Sequence, residues 1–137
     1  MESKVVWQDN MAFEAHLDGH NFYIDADPKA GGQNKGPRPK GLTLVSLAGC
    51  TAMDVISILQ KMKQDVTQFE VKVHADRAEE HPKVFISLAL EYVVTGKNID
   101  RVAVEKAVDL SETRYCSAQA MLRKAVPIES RITIQEG

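Results

Sequence analysis

The chain has 137 residues, 44% hydrophobic, 26% charged and 6% aromatic, which suits a single domain spanning residues 1–137 with one core. Seventeen Lys and Arg against nineteen Asp and Glu leave a net charge of −2 without any block of five like charges, so the electrostatic footprint of a nucleic-acid binder is missing. The opening residues, MESKVVWQDNMAF, hold no apolar run of signal-peptide length, and nothing approaches the roughly 18 consecutive apolar residues of a membrane span. The expectation is a cytoplasmic protein with no membrane and no nucleic acid among its partners. Two cysteines are too few for the disulfide framework of a small secreted domain; they are core thiols or they carry chemistry.

In chain order, Lys4–Gln8 and Met11–His16 read as short strands, the second with alternating apolar positions Met11, Phe13 and Ala15. Asp18-Gly19 supplies a tight turn into a third strand over Asn21–Ile24, giving an antiparallel meander. Asp25–Gly41 then holds four of the eight glycines and three of the five prolines. It is a long loop, either functional or a solvated connector. Gly41–Lys63 is the strongest helical segment, with twelve apolar residues among the eighteen from Leu42 to Leu59. That is too many for one amphipathic stripe, so the helix is expected to be central and mostly buried. Its polar exceptions, Thr43, Ser46, Cys50, Asp54, Ser57 and Lys61, step by three or four and share one face.

Phe69–Ala75 and Lys83–Val94 read as the two strands of a hairpin, joined by a charged turn ending in His81-Pro82. Ile99–Arg114 is an amphipathic helix capped by Asn98 or Asp100, with Val104, Ala107, Val108 and Ser111 on one face. Ala118–Ala125 has high helix propensity, and Pro127–Gln135 alternates as a closing strand.

Phosphate-loop, HExxH, CxxC, GxSxG and GxGxxG motifs are all absent. The glycine-rich stretch Gly31–Gly41 lacks the Lys-Ser/Thr pair a phosphate cradle needs. Neither thiol has a histidine tied to it by a motif, which weighs against a cysteine hydrolase. Cys50 and Cys116 remain, 66 positions apart. A first-turn position would give Cys116 the support of a helix's positive end, with Arg114 adjacent, whereas mid-helix Cys50 would lack that support. Asp54, one turn after Cys50, would oppose its ionisation, so a reactive Cys50 needs a cation. Arg38 and Lys40, where the loop meets the helix, are the local candidates, against the plain alternative of exposed loop charge.

Three stretches carry a resemblance: GPRPKGLTLVSLAGCTAMDVISILQKMK (Gly36–Lys63), RAEEHPKVF (Arg77–Phe85) and VEKAVDLSETRYCSA (Val104–Ala118). Together they resemble the OsmC/Ohr superfamily along nearly the whole chain. The resemblance implies an α+β fold with curved antiparallel sheets around a long central helix, in an intertwined homodimer with its sites at the subunit interface. It also implies an antioxidant, thiol-dependent peroxidase. Cys50 would be the peroxidatic nucleophile and Cys116 the resolving thiol, acting on an organic hydroperoxide or similar small apolar molecule, with a dithiol reductant and neither metal nor organic cofactor. Two family features have no match here. No arginine precedes Asp25, and Gly41 stands where relatives often carry a glutamate. Arg38 could substitute as the cation, and Arg38 and Asp54 are the possible thiolate-stabilising or polar residues of the site. The alternative is a non-catalytic dimer of the same fold that binds an apolar ligand or senses redox state.

Overall fold

The computed structural model describes residues 1–137, which divide into two compact units, Met1–Thr43 and Leu44–Gly137. In the first unit, β1 (Ser3–Asp9), β2 (Ala12–Leu17) and β3 (His20–Ile24) form an antiparallel sheet in that order. Asp18 and Gly19 both have positive φ, as the mirror-image turn between right-twisted strands requires. The long loop that follows is ordered around one side chain. The Asp25 carboxylate accepts from the backbone N–H groups of Ala26 at 2.8 Å, Gln33 at 3.0 Å and Lys35 at 3.1 Å. Two 3₁₀ turns, Pro28–Ala30 and Pro39–Gly41, punctuate it. At Gly32 and Gly36 a Cβ would collide with the backbone of Ala26 and Tyr23, so the close approach of loop to strand end demands glycine.

All but the first two residues of α1 (Leu42–Lys61) belong to the second unit, which continues through the hairpin β4 (Asp65–Arg77) and β5 (Phe85–Lys97) to α2 (Arg101–Leu110). A single π-helical turn over Ser111–Tyr115 leads into α3 (Ser117–Leu122), and β6 (Ile128–Glu136) closes the unit. Sheet order is β4-β5-β6. The β4–β5 pair is antiparallel, with Val71 opposite Tyr92 and Val73 opposite Leu90. β6 lies parallel to β5, with Tyr92 opposite Ile132, so this sheet is mixed where an antiparallel one was expected. The reason is the connection: α2 and α3 intervene between β5 and β6, and a crossover of that length returns the chain in the same direction.

The core of this unit joins Leu47, Val55 and Leu59 of α1 to Leu88, Leu90, Tyr92 and Val94 of β5 and to Val104, Ala107 and Val108 of α2. Burying each of the leucines and valines contributes about 1.5–3 kcal/mol. Asp100 caps α2 by accepting from the Val102 N–H at 3.0 Å, as the sequence predicts. The expected mostly buried α1 is not observed within one chain. Only the stripe Leu47, Thr51, Val55 and Leu59 is buried, while Val45 and Met53 are 65% and 74% exposed. A single layer of β5, α2 and α3 can cover one side of a helix, and α1 is apolar on more than one. By length and composition alone, Pro39–Lys61 is apolar enough to cross a membrane.

Candidate functional site

Cys50 sits in the middle of α1 and Asp54 one turn later, so helical geometry places both on one face. Cys116 arrives from the other end of the unit. The π-helical turn closes with the Cys116 N–H donating to the Ser111 carbonyl at 2.8 Å, an i to i−5 bond. Such turns insert an extra residue and are frequent at functional positions. Cys116 then adopts extended backbone (φ −77, ψ 105) and caps α3, its sulfur accepting from the Gln119 N–H at 3.4 Å. The two sulfurs and an Asp54 carboxylate oxygen all lie within 4.8 Å of one another. Sequence spacing could not bring these three together; the fold does.

The two thiols titrate in opposite directions. Burial of Cys50 raises its pKa, but the Ala118 N–H, the Cys116 thiol and the Ser117 side chain hydrogen-bond its sulfur and together outweigh that cost. The Asp54 charge opposes them, and the net position is below the ordinary 9.0. Cys116 is pushed up to about 11, chiefly by burial, then by donating to Cys50 and by the Cys50 charge. This reverses the expectation that Cys116 gains most from the helix end. As the cap, Cys116 precedes α3, and the first-turn N–H of Ala118 is directed at Cys50 instead.

Arg38 lies in the first unit, where its guanidinium donates to Asn34 Oδ1 and to the Gly36 carbonyl, both at 2.9 Å. It serves there as a brace of the glycine-rich loop. No cation is among the groups that set the Cys50 pKa. Thiolate stabilisation within this unit therefore comes from neutral donors.

Sequence reasoning missed the polar groups behind the thiols. Ser111 Oγ donates to Asp54 Oδ2 at 3.0 Å and lies 2.7 Å from Thr51 Oγ1. Thr51 is 2.9 Å from the Tyr92 hydroxyl, which donates to Glu112 Oε2 at 2.8 Å. Thr51, Tyr92 and Ser111 are fully buried. Burial and the Glu112 charge hold the tyrosine well above its usual pKa, so it stays a neutral hydroxyl. Ser111 on the apolar face of α2 was the only signal, and it read as a helix-face residue. As a metal site, Cys50, Asp54 and Cys116 offer two sulfurs and one oxygen, one donor short of a closed tetrahedral zinc site.

A family model described as "OsmC-like protein" matches residues 32–131. Protein YhfA of Escherichia coli is 40% identical over 129 residues, 93% of either chain. A crystal structure of a hypothetical protein from Aquifex aeolicus is 26% identical, with a TM-score of 0.87 over 99% of this chain and 96% of that one. An organic hydroperoxide resistance protein OsmC from Legionella pneumophila, described as a predicted redox protein, shares the fold at 17% identity, with a TM-score of 0.70 over 96% and 95% of the two chains. Matched by this family model over most of its length and 40% identical to YhfA over 93% of either chain, the chain belongs to the OsmC-like protein family.

Proposed function

We propose that this protein reduces organic hydroperoxides, with Cys50 as nucleophile and Cys116 as resolving thiol. The supporting observation is the pair of adjacent sulfurs with opposed acidities, one lowered and one raised to about 11. An attacking thiol must be thiolate, and its partner should stay protonated until needed. The Cys50 thiolate attacks the O–O bond of the hydroperoxide. A sulfur–oxygen bond forms, the O–O bond breaks, sulfur loses two electrons, and the alcohol departs after gaining a proton. Cys116 then displaces water from the sulfenic acid, forming the disulfide. A small dithiol returns both sulfurs to thiols by two exchanges.

The exposed apolar side chains of α1, Val45 and Met53, support a second copy of this chain as its partner, because a helix this apolar is otherwise left in water. The name of the Legionella relative, a hydroperoxide resistance protein, supports the choice of substrate class. Stopped-flow oxidation by cumene hydroperoxide is the test. The expected result is a rate far above that of free cysteine, followed by a Cys50–Cys116 disulfide. A rate no faster than free cysteine would overturn the reading, and an apolar ligand retained through purification would then favour a binding or sensing role.

A further inference from the structure

Two thiols and a carboxylate meet in the second unit without a cation. The Cys50 and Cys116 sulfurs and an Asp54 carboxylate oxygen lie within 4.8 Å of one another, and no lysine, arginine or histidine is among the main groups acting on either thiol. A reactive thiolate is ordinarily stabilised by a neighbouring cation or by a metal ion. Two thiolates and one carboxylate form a soft, anionic donor set that favours zinc over magnesium or calcium. The geometry agrees. In a tetrahedral site with Zn–S of about 2.3 Å and Zn–O of about 2.1 Å, neighbouring donor atoms stand about 3.5–3.8 Å apart. Donors already within 4.8 Å need to draw in by little more than about 1 Å to reach that spacing. Cys50 and Asp54, at i and i+4 on α1, have the spacing by which paired helical side chains chelate zinc. Each donor also has the outer hydrogen bond that orients a metal ligand: the Ala118 N–H on Cys50, the Gln119 N–H on Cys116 at 3.4 Å, and Ser111 Oγ on Asp54 Oδ2 at 3.0 Å. Cys116 is buried but Cys50 and Asp54 are half-exposed in this unit, which leaves a side for the ion to enter and for water to complete four-coordination.

We infer that Cys50, Asp54 and Cys116 bind one zinc ion, with water as the fourth ligand, and that the bound ion holds the thiol pair in an unreactive state. Two Zn–S bonds and one Zn–O bond form, and the thiol protons leave to solvent. No electrons move. The ion takes up the sulfur lone pair that would otherwise attack an electrophile, so the occupied pair resists both alkylation and oxidation. A Cys50–Cys116 disulfide formed in metal-free protein offers no thiolate and excludes zinc. Metal occupancy and oxidation are therefore alternatives at one site. Protection against hydroperoxide rests on the peroxidase reading; zinc binding and the block to alkylation do not.

Two measurements test this, and the first needs no turnover. Reduced protein titrated anaerobically with cobalt(II), a spectroscopic stand-in for zinc, should develop thiolate-to-cobalt charge-transfer absorption and the strong visible bands of a tetrahedral ion. The bands should saturate at one ion per chain, and added zinc should bleach them. Cys116→Ala and Asp54→Ala each remove a ligand. In competition with a chromophoric chelator, each should weaken zinc binding by roughly a hundred-fold or more, beyond the ten- to hundred-fold that loss of an outer partner costs. Absence of the charge-transfer bands, saturation at another ratio, or undiminished binding in either variant overturns the site; the spectrum of the unsubstituted protein decides the point if a variant fails to fold. In the second measurement, saturating zinc should slow iodoacetamide labelling of Cys50 by roughly ten-fold or more, with full recovery when the ion is chelated. Labelling that bound zinc leaves unchanged would overturn the unreactive state. Failure of the peroxidase reading is separate: zinc would then still bind and block labelling, while the chelated protein would show no rapid oxidation by cumene hydroperoxide.

Discussion

The Cys116 thiol donates to the Cys50 sulfur, and this contact adds to burial, the larger cause for Cys116, in moving the two groups apart in acidity. It lowers the acceptor and raises the donor, so the two thiols are differentiated before either reacts. The Ala118 N–H on the Cys50 sulfur adds to the difference.

Iodoacetamide should therefore label Cys50 first. Its rate profile should have a midpoint below pH 9.0, whereas Cys116 should resist labelling until pH approaches about 11. Peptide mass spectrometry after brief labelling at pH 7 reads the selectivity. Cys116→Ala, which removes one donor, should move the Cys50 midpoint upward.

One equivalent of hydroperoxide should convert the reduced protein to an intramolecular Cys50–Cys116 disulfide, identified in the peptide map. Cys116→Ser should stop at the sulfenic acid, which dimedone traps on Cys50 alone. Trapping on neither residue would contradict the assigned roles.

Asp54→Asn removes a charge that opposes the Cys50 thiolate, so Cys50 alkylation should speed up a few-fold at neutral pH. Iodoacetamide rates measured in parallel on the variant and the unsubstituted protein check the direction.

In the first unit, Asp25→Ala should release the 25–41 loop. The Gln33 and Lys35 amides should lose protection from hydrogen exchange, and the thermal midpoint should fall by several degrees. The backbone N–H groups of Gln33 and Lys35 hold this carboxyl below its usual 3.8. Its stabilisation is therefore present above that pH and is lost as pH falls through the lower folded value. The difference between variant and unsubstituted protein should accordingly shrink under acid conditions.

The dimer proposal is checked by sedimentation. The unsubstituted protein should run at twice the mass of its 15.2 kDa chain, and Met53→Glu, which charges an exposed apolar position of α1, should shift it to the single-chain mass. A single-chain mass for the unsubstituted protein would remove the proposed partner.

By itself the sequence determined the local architecture. Period-two runs became β2, β4 and β6, the long β-rich run became β5, the apolar segment after Gly41 became α1, and Asp100 capped α2 where a cap was expected. These features depend on neighbours within a few residues, and backbone geometry converts such patterns directly into faces. The absence of other motifs singled out both cysteines, and the resemblance added the family and their expected roles. Only the tertiary structure decided which thiol receives the Ala118 N–H, that β6 runs parallel to β5, and that Arg38 braces its own loop. The buried chain from Asp54 to Glu112 was equally illegible, since its contacts join residues 20 to 60 positions apart. Serine, threonine and tyrosine carry no periodic signal, and whether their hydroxyls meet depends on how α1, α2 and β5 pack, a long-range arrangement that no local pattern encodes.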